Sequence, residues 1–275
     1  MKRWLRAVSL AAIGSLVAQA AALTTAAASS QKVTPDVARE LLAPVCTTGG
    51  TTGACTPCPA FTDGHDTTFS PDTVIYGHFT DPKFTDALLD MGGCEAHVNN
   101  FGGSLLLRWQ GLTNWKLIRY AQGFRTDQCL KVPAADGRDQ LLCQGNYGGM
   151  GTVVENLMLL DLTKPDALTQ HFFSAYDTAQ ACSSSGSLQH LLSWKLRPGQ
   201  GRLPMLEARI KSATYTRTND AKADDNCSGQ LRATPSQIYT LTYTFDGRHF
   251  KLTPASRAAL AALTRDNPDF GGDGN

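Results

Sequence analysis

The most reactive side chains in this chain are its cysteines, and the spacing that first suggests chemistry is Cys55-Thr56-Pro57-Cys58. Two thiols so placed run thiol–disulfide exchange when a helix N-terminus beneath the first lowers its pKa, on a βαβ frame. Pro59 and a Gly/Asp-rich coil follow here, so the pair reads as structural. Cys94-Glu95-Ala96-His97 offers two metal ligands, but no second pair follows at zinc-site spacing. The histidines at 65, 78, 171, 190 and 249 show no paired helical spacing. Ser183-Ser184-Ser185-Gly186-Ser187 is a loop and not the G-x-S-x-G elbow of a hydrolase. The sequence therefore nominates no catalytic residue, no cofactor and no metal site. Enzymes whose groups come from distant loops leave no such local mark.

One acidic stretch remains, LKVPAADGRDQLLCQGNYGG from Leu130 to Gly149. Asp136-Gly137 between two apolar flanks supplies the positive-φ turn that a hairpin needs. If CLKV and QLLC pair antiparallel about Asp136, then 129 meets 143, 130 meets 142, 131 meets 141 and 132 meets 140. Facing Cα atoms in such a ladder lie roughly 4.5–5.5 Å apart, at the short end of what a disulfide spans. Cys129 and Cys143 are thus expected to be bridged. The rival pairing joins Cys94 to one of them.

These residues are carried by a chain of 275 residues whose first part is a targeting segment. Lys2, Arg3 and Arg6 precede an apolar run, and Val17-Ala18-Gln19-Ala20 fits a secretory cleavage site. The run falls short of the roughly 20 residues of a spanning helix. Cleavage after Ala20 leaves 275 − 20 = 255 residues, and 25 − 3 = 22 basic residues against 24 acidic, a net charge of −2. No basic block or stripe appears, so neither nucleic acid nor an anionic membrane is indicated as a partner. All 8 cysteines lie beyond the signal, an even number that implies a disulfide framework in an oxidising compartment, secreted or periplasmic.

The rest of the sequence supplies the positioning elements. Thr34-Pro35 opens a short helix, and Thr253-Pro254 opens a second. Residues 46–72 are Thr-, Gly-, Pro- and Cys-rich loop. From Thr73 short β-type runs recur with turns between them, in three sets of four whose first strands begin near residues 73, 129 and 190. That repeat of roughly 55–60 residues suits a four-stranded blade with long loops. The expected organisation is a signal over 1–20, a Cys-rich segment with a helix over 21–72, a β-blade domain over 73–252, and a helix with a disordered tail over 253–275. The fold class is mainly β: about three antiparallel blades, propeller-like or an open stack, with a helix at each end.

The first two sets resemble the FG-GAP repeat of integrin-type β-propellers. Gly77-His78-Phe79 with Asp86-Ala87-Leu88-Leu89 is similar to that family's Gly-Asp-Phe and Asp-Leu-Leu frame, and Asp136-Gly137-Arg138-Asp139-Gln140-Leu141-Leu142 to its Asp-Gly and Leu-Leu half. The resemblance implies stacked blades and, in the family, calcium in the Asp-rich loops. His78 and Pro82 in the first loop, and Val132 and Ala134 in the second, replace ligand positions. Calcium takes six to eight oxygens, several from carboxylates, and Asp136 with Asp139 cannot supply them. The loop is expected to turn the chain without a metal.

Most aromatic residues fall in strands and are expected to pack the core. Trp115, beside the Asn114 turn, and Tyr147, in a Gly-rich loop, are expected to be exposed and to form a partner surface. The expected function is a non-catalytic binding or scaffold module at a bacterial-type cell envelope, with a protein or glycan as ligand. The alternative is an exported hydrolase with catalytic groups in the inter-blade loops; a Ser–His contact would favour it.

Overall fold

The computed structural model describes residues 30–46, 69–93, 102–112, 114–122, 128–164, 167–199, 203–218, 229–267 and 270–272. The signal segment, the Cys55–Cys58 pair and the 94–97 motif lie outside the described residues. The elements in chain order are β1 (Gln31–Lys32), α1 (Pro35–Leu42), β2 (Phe69–Gly77), β3 (Asp86–Gly93), β4 (Ser104–Trp109), β5 (Trp115–Ala121), β6 (Gln128–Pro133), β7 (Asp139–Gly149) and β8 (Thr152–Leu160). They continue as β9 (Leu168–Asp177), β10 (Ser185–Pro198), β11 (Pro204–Arg217), β12 (Leu231–Ala233), β13 (Gln237–Phe245), β14 (Phe250–Leu252), α2 (Pro254–Asp266) and β15 (Gly271–Gly272). Both helices start on the Thr-Pro signal. Thr34 caps α1 by accepting from the Val37 N–H at 3.4 Å, and proline fills the first helical position, where no N–H is missed.

The protein is mainly β, with antiparallel sheets, neither of them closed, and two short helices. One sheet has the order β1-β2-β3-β4-β5; the other runs β14-β13-β11-β10-β9-β8-β7-β6, with β12 on β11 and β15 on β9. The second and third sets of strands therefore share one sheet. The turn after β9 joins them: the Thr178 N–H bonds the Ser187 carbonyl at 3.0 Å, and the Tyr215 hydroxyl donates to the Thr178 carbonyl at 2.6 Å. Only Asp177 and Leu188 pair across this junction, so the sheet folds over there instead of continuing flat.

Strand alternation then dictates three cores. Val74, Ala87, Leu89, Leu105 and Leu107 point from the smaller sheet onto Ala38, Leu41 and Leu42 of α1. Their neighbours Ile75, Leu88 and Leu106 point the other way, onto Cys129, Leu141, Cys143 and Leu160 of β6–β8. The opposite face of β6–β9, with Val132, Leu142, Leu157 and Leu159, packs on Leu206, Ile210, Leu241 and Tyr243 of β11 and β13. The layers are thus α1, β2–β5, β6–β9 and β10–β14. Each large aliphatic side chain buried between layers contributes about 1.5–3 kcal/mol, which drives the stacking. Phe172 meets Tyr243 edge-on at 5.1 Å, and the Trp194 indole N–H reaches from β10 to Gln144 Oε1 on β7 at 2.9 Å.

Two devices close the open margins. The Gln170 carboxamide imitates a strand against edge strand β14: its Nε2 donates to the Phe250 carbonyl at 2.7 Å, and its Oε1 accepts from the Phe250 N–H at 2.9 Å. Residues 270–272 of the C-terminal tail, a tail expected to be disordered, return to the second sheet. Gly271 pairs with Ser174 and Gly272 with Phe173, while Phe270, 3% exposed, stacks on Phe173 at 5.6 Å. Its low-complexity glycines hid one buried aromatic anchor.

In the β6–β7 hairpin Cys129 faces Cys143, Leu130 faces Leu142, Lys131 faces Leu141 and Val132 faces Gln140. The Cys129–Cys143 disulfide closes it, with Cα atoms 4.1 Å apart and both side chains buried in the core against β2–β4. Cys46 and Cys182 are disulfide-bonded as well. The chain-entropy model assigns roughly 3 kcal/mol to a loop of this length. We predict that the Cys129→Ala/Cys143→Ala protein unfolds about 3 kcal/mol more easily in urea; an unchanged midpoint would contradict a structural role.

Candidate functional site

The hairpin-loop residues 78–85, 134–138, 161–164 and 246–249 gather at one end of the layers, where the acidic residues are already occupied. Asp86, fully buried, accepts from the Thr80 N–H at 2.8 Å, the Thr80 hydroxyl at 2.6 Å and Arg108 Nε at 3.2 Å. Arg108 in turn lies 4.5 Å over the Phe84 ring. Asp139 accepts from the His78 N–H at 2.9 Å, and its own N–H donates to the His78 carbonyl at 2.9 Å. Arg138 forks onto Asp161 at 2.8 and 3.3 Å and also bonds Asp136 through Nε at 2.8 Å. Burial alone would raise the Asp161 carboxyl; Arg138 and Thr163 outweigh it and hold the group at about 2.

This network is a seam between the two sheets. Gly77 permits it, because a Cβ there would lie 2.7 Å from the Phe79 ring and 2.8 Å from Asp139 Oδ2. The tripeptide Asp-Gly-Arg occurs twice, at 136–138 and 246–248, and each aspartate accepts from the N–H of its own arginine. At Asp246 the His249 N–H is the largest influence, and the carboxyl is lowered to about 2. Gly247, at φ 99°, sits beside Ala135 and accepts from its N–H at 2.9 Å. The Asp-rich positions of the resemblance thus bond guanidinium and backbone N–H groups. Among the described residues, no group of three or more His, Cys, Asp or Glu is placed to hold a metal ion.

The opposite end carries a different arrangement on the face of β7–β9 that also bears the disulfide. Three rows cross the strands: Cys143–Met158–His171, Gly145–Asn156–Ser174 and Tyr147–Val154–Tyr176. A bulge in β9 makes the middle row possible. Leu157 pairs with Phe173 but Met158 with His171, so Phe172 is the extra residue. Phe172 and Phe173 both enter the core, and His171 and Ser174 both turn to the outer face. His171 Nε2 lies 3.0 Å from Ser174 Oγ, and the Ser174 hydroxyl donates to Asn156 Oδ1 at 2.5 Å. The Tyr147 phenol is raised by partial burial and by the nearby Tyr176.

Ser174 is 7% exposed, and Gly271 of β15 pairs with it directly. Its hydroxyl spends its proton on Asn156, so His171 is not drawing that proton away, as a nucleophile's activating base must. The trio therefore orients Asn156. Its Nδ2 makes no hydrogen bond among the described residues.

Tyr147 is exposed at 46%, beside this trio. Trp115 is not: it is 7% exposed, packs in the core under α1 and donates its indole N–H to Glu40 Oε1 at 2.7 Å. The start of β5 lies under a helix remote in sequence, which the neighbouring turn gave no hint of. The exposed tryptophan of that hairpin is Trp109, its indole N–H bonded to the Leu112 carbonyl at 3.0 Å. Trp115 and Tyr147 do not share a surface. The sequence reading passed over Asn156, Ser174 and Tyr176, although adjacent Phe172-Phe173 in a strand was a legible sign of a bulge. The loop 183–187 leads into β10 and brings no histidine to its serines.

The seam has a pH signature. A carboxyl whose folded pKa is depressed stabilises the fold above its unfolded pKa, near 4, and loses that stabilisation as the pH falls towards about 2. We predict that Tm falls between pH 5 and 2, and that Asp161→Asn lowers Tm at pH 7 while shrinking the acid-induced fall. An equal fall in both proteins would show that Asp161 is not part of the acid response.

Comparison with protein-family models, with curated proteins and with solved structures finds no match for this chain.

Proposed function

We propose that this chain is an exported, disulfide-stabilised binding or scaffold module of a bacterial-type cell envelope, whose ligand, a protein or glycan, is held on the outer face of β7–β9. The observation that carries this reading is the Tyr147–Asn156–Tyr176 surface. Two tyrosines flank Val154 there, one row from an amide that Ser174, itself in contact with His171, holds from the side. Rigid aromatic side chains beside a few oriented polar groups are the usual makings of a recognition surface. The Cys129–Cys143 bridge is compatible with a secreted or periplasmic location, and no helix among the described residues is long and apolar enough to cross a membrane. We read the three four-stranded meanders as degenerate FG-GAP-like blades left as an open stack. Support for this comes from their face-to-face packing and from the Asp-Gly-Arg turns gathered at one end.

A second reading rests on the His171–Ser174 contact, which a serine hydrolase would require. Ser174 lies inside a strand under β15, with no helix N-terminus beside it, so this reading is the weaker. A serine-directed phosphonate probe separates the two: labelling lost in Ser174→Ala would establish the hydrolase, and absence of labelling is expected.

The binding reading is tested with isolated envelope preparations. We predict that the purified protein cosediments with them and that Tyr147→Ala weakens this at least tenfold, a loss of about 1.4 kcal/mol. Tyr147 is exposed, so its removal leaves the fold intact. Cosedimentation unchanged by Tyr147→Ala would overturn the site, and no cosedimentation at all would overturn the reading.

A further inference from the structure

We infer that the face built by Tyr147, Asn156 and Tyr176 takes an uncharged saccharide, an inference that rests on the binding reading above. Neighbouring strands are about 4.8 Å apart, so Tyr147 on β7 and Tyr176 on β9 stand roughly 10 Å apart with β8 between them. Val154 fills the floor between the two rings and is itself buried. That separation suits a short run of sugar residues lying across the strands, with C–H faces on the rings and hydroxyls to the sides.

Hydrogen bonding points the same way. Asn156 Oδ1 accepts from Ser174, which turns Nδ2 outward as a fixed donor. The Tyr147 and Tyr176 hydroxyls make no hydrogen bond among the described residues and can each donate or accept. A sugar hydroxyl matches such mixed groups, because it too does both. Opposite Asn156 stands Gly145, where the Met158 side chain packs so closely that a Cβ would come within 3.0 Å of Met158 Cε.

The charges decide between ligand classes. Gly145, Tyr147, Val154, Asn156, Ser174 and Tyr176 include no Lys, Arg, Asp or Glu, so these residues offer no fixed charge to a phosphate or a uronate, and the His171 imidazole beside them is turned to Ser174. A proline-rich peptide also stacks on tyrosines, but it brings few donors to match two phenols and an amide.

Isothermal titration of the folded, oxidised protein tests the inference. The probes are cellotetraose and chitotetraose, with tetragalacturonate and a proline-rich decapeptide for comparison. At least one neutral tetrasaccharide is expected to bind more tightly than tetragalacturonate and the peptide, with affinity lost at least tenfold in both Asn156→Ala and Tyr176→Ala. Ser174→Ala is expected to weaken binding less, since it loosens the amide without removing it. Circular dichroism confirms that each variant is folded; should Ser174→Ala fail that check, Asn156→Ala decides alone. Failure of both neutral sugars to bind, or binding that survives Asn156→Ala, overturns the saccharide inference. Envelope cosedimentation that is lost in Tyr147→Ala, yet not competed by either sugar, overturns it while leaving the binding reading standing. If the envelope is not bound either, both fall.

Discussion

The pairing of Arg138 with Asp161 is the interaction on which the rest of this structure depends. Arg138 belongs to the β6–β7 turn, Asp161 to the start of the β8–β9 loop, and the same guanidinium touches Asp136 and the Phe79 carbonyl of the other sheet. A charge so shielded is costly unless every direction is bonded. Arg138 meets that demand by drawing three loops around itself. Asp86 with Arg108, and Asp139 with His78, repeat the principle on either side. The outcome is one stiff end, at which the smaller sheet is registered against the larger.

With that end committed to structure, the opposite end is free to differ. In the acidic loops that resemble a metal-binding frame, Asp86, Asp136 and Asp161 bond guanidinium groups. The disulfide continues the same face inward from the seam, and the strands beyond it carry Tyr147 exposed and Asn156 and Tyr176 half-buried. There the β9 bulge turns His171 and Ser174 outward together and makes a fixed amide of Asn156. β15 pairs directly beside the serine while Tyr147 stays exposed, which supports the proposed recognition role.

Much of the scaffold was legible in the sequence because it is local. Thr-Pro starts, Asp-Gly turns and strand alternation determine helices and hairpins within a dozen residues. The ladder that sets Cys129 opposite Cys143 follows from counting about Asp136. What could not be read is long-range. Trp115 is buried by a helix some seventy residues earlier, and Phe270 by a strand about a hundred residues before it. The second and third strand sets join at the Asp177–Leu188 pair and the bonds of Thr178 to Ser187 and Tyr215, which no pattern announces. The site was half visible: Tyr147 stood out by its Gly-rich setting, whereas Asn156 and Tyr176 come beside it only through ladder register. The twice-occurring Asp-Gly-Arg was visible, but the partner of Arg138, Asp161, is 23 residues away in sequence.

A double-mutant cycle on the seam tests the central claim most directly. The unfolding free energies of the parent protein, Arg138→Met, Asp161→Asn and the double variant are measured at pH 7 in urea. The account predicts that each single change is destabilising and that the two are coupled by about 1–3 kcal/mol, because each partner left alone is a shielded charge or an orphaned fork. Effects that add to within about 0.5 kcal/mol would contradict it, since Arg138 and Asp161 would then stabilise the protein independently of one another.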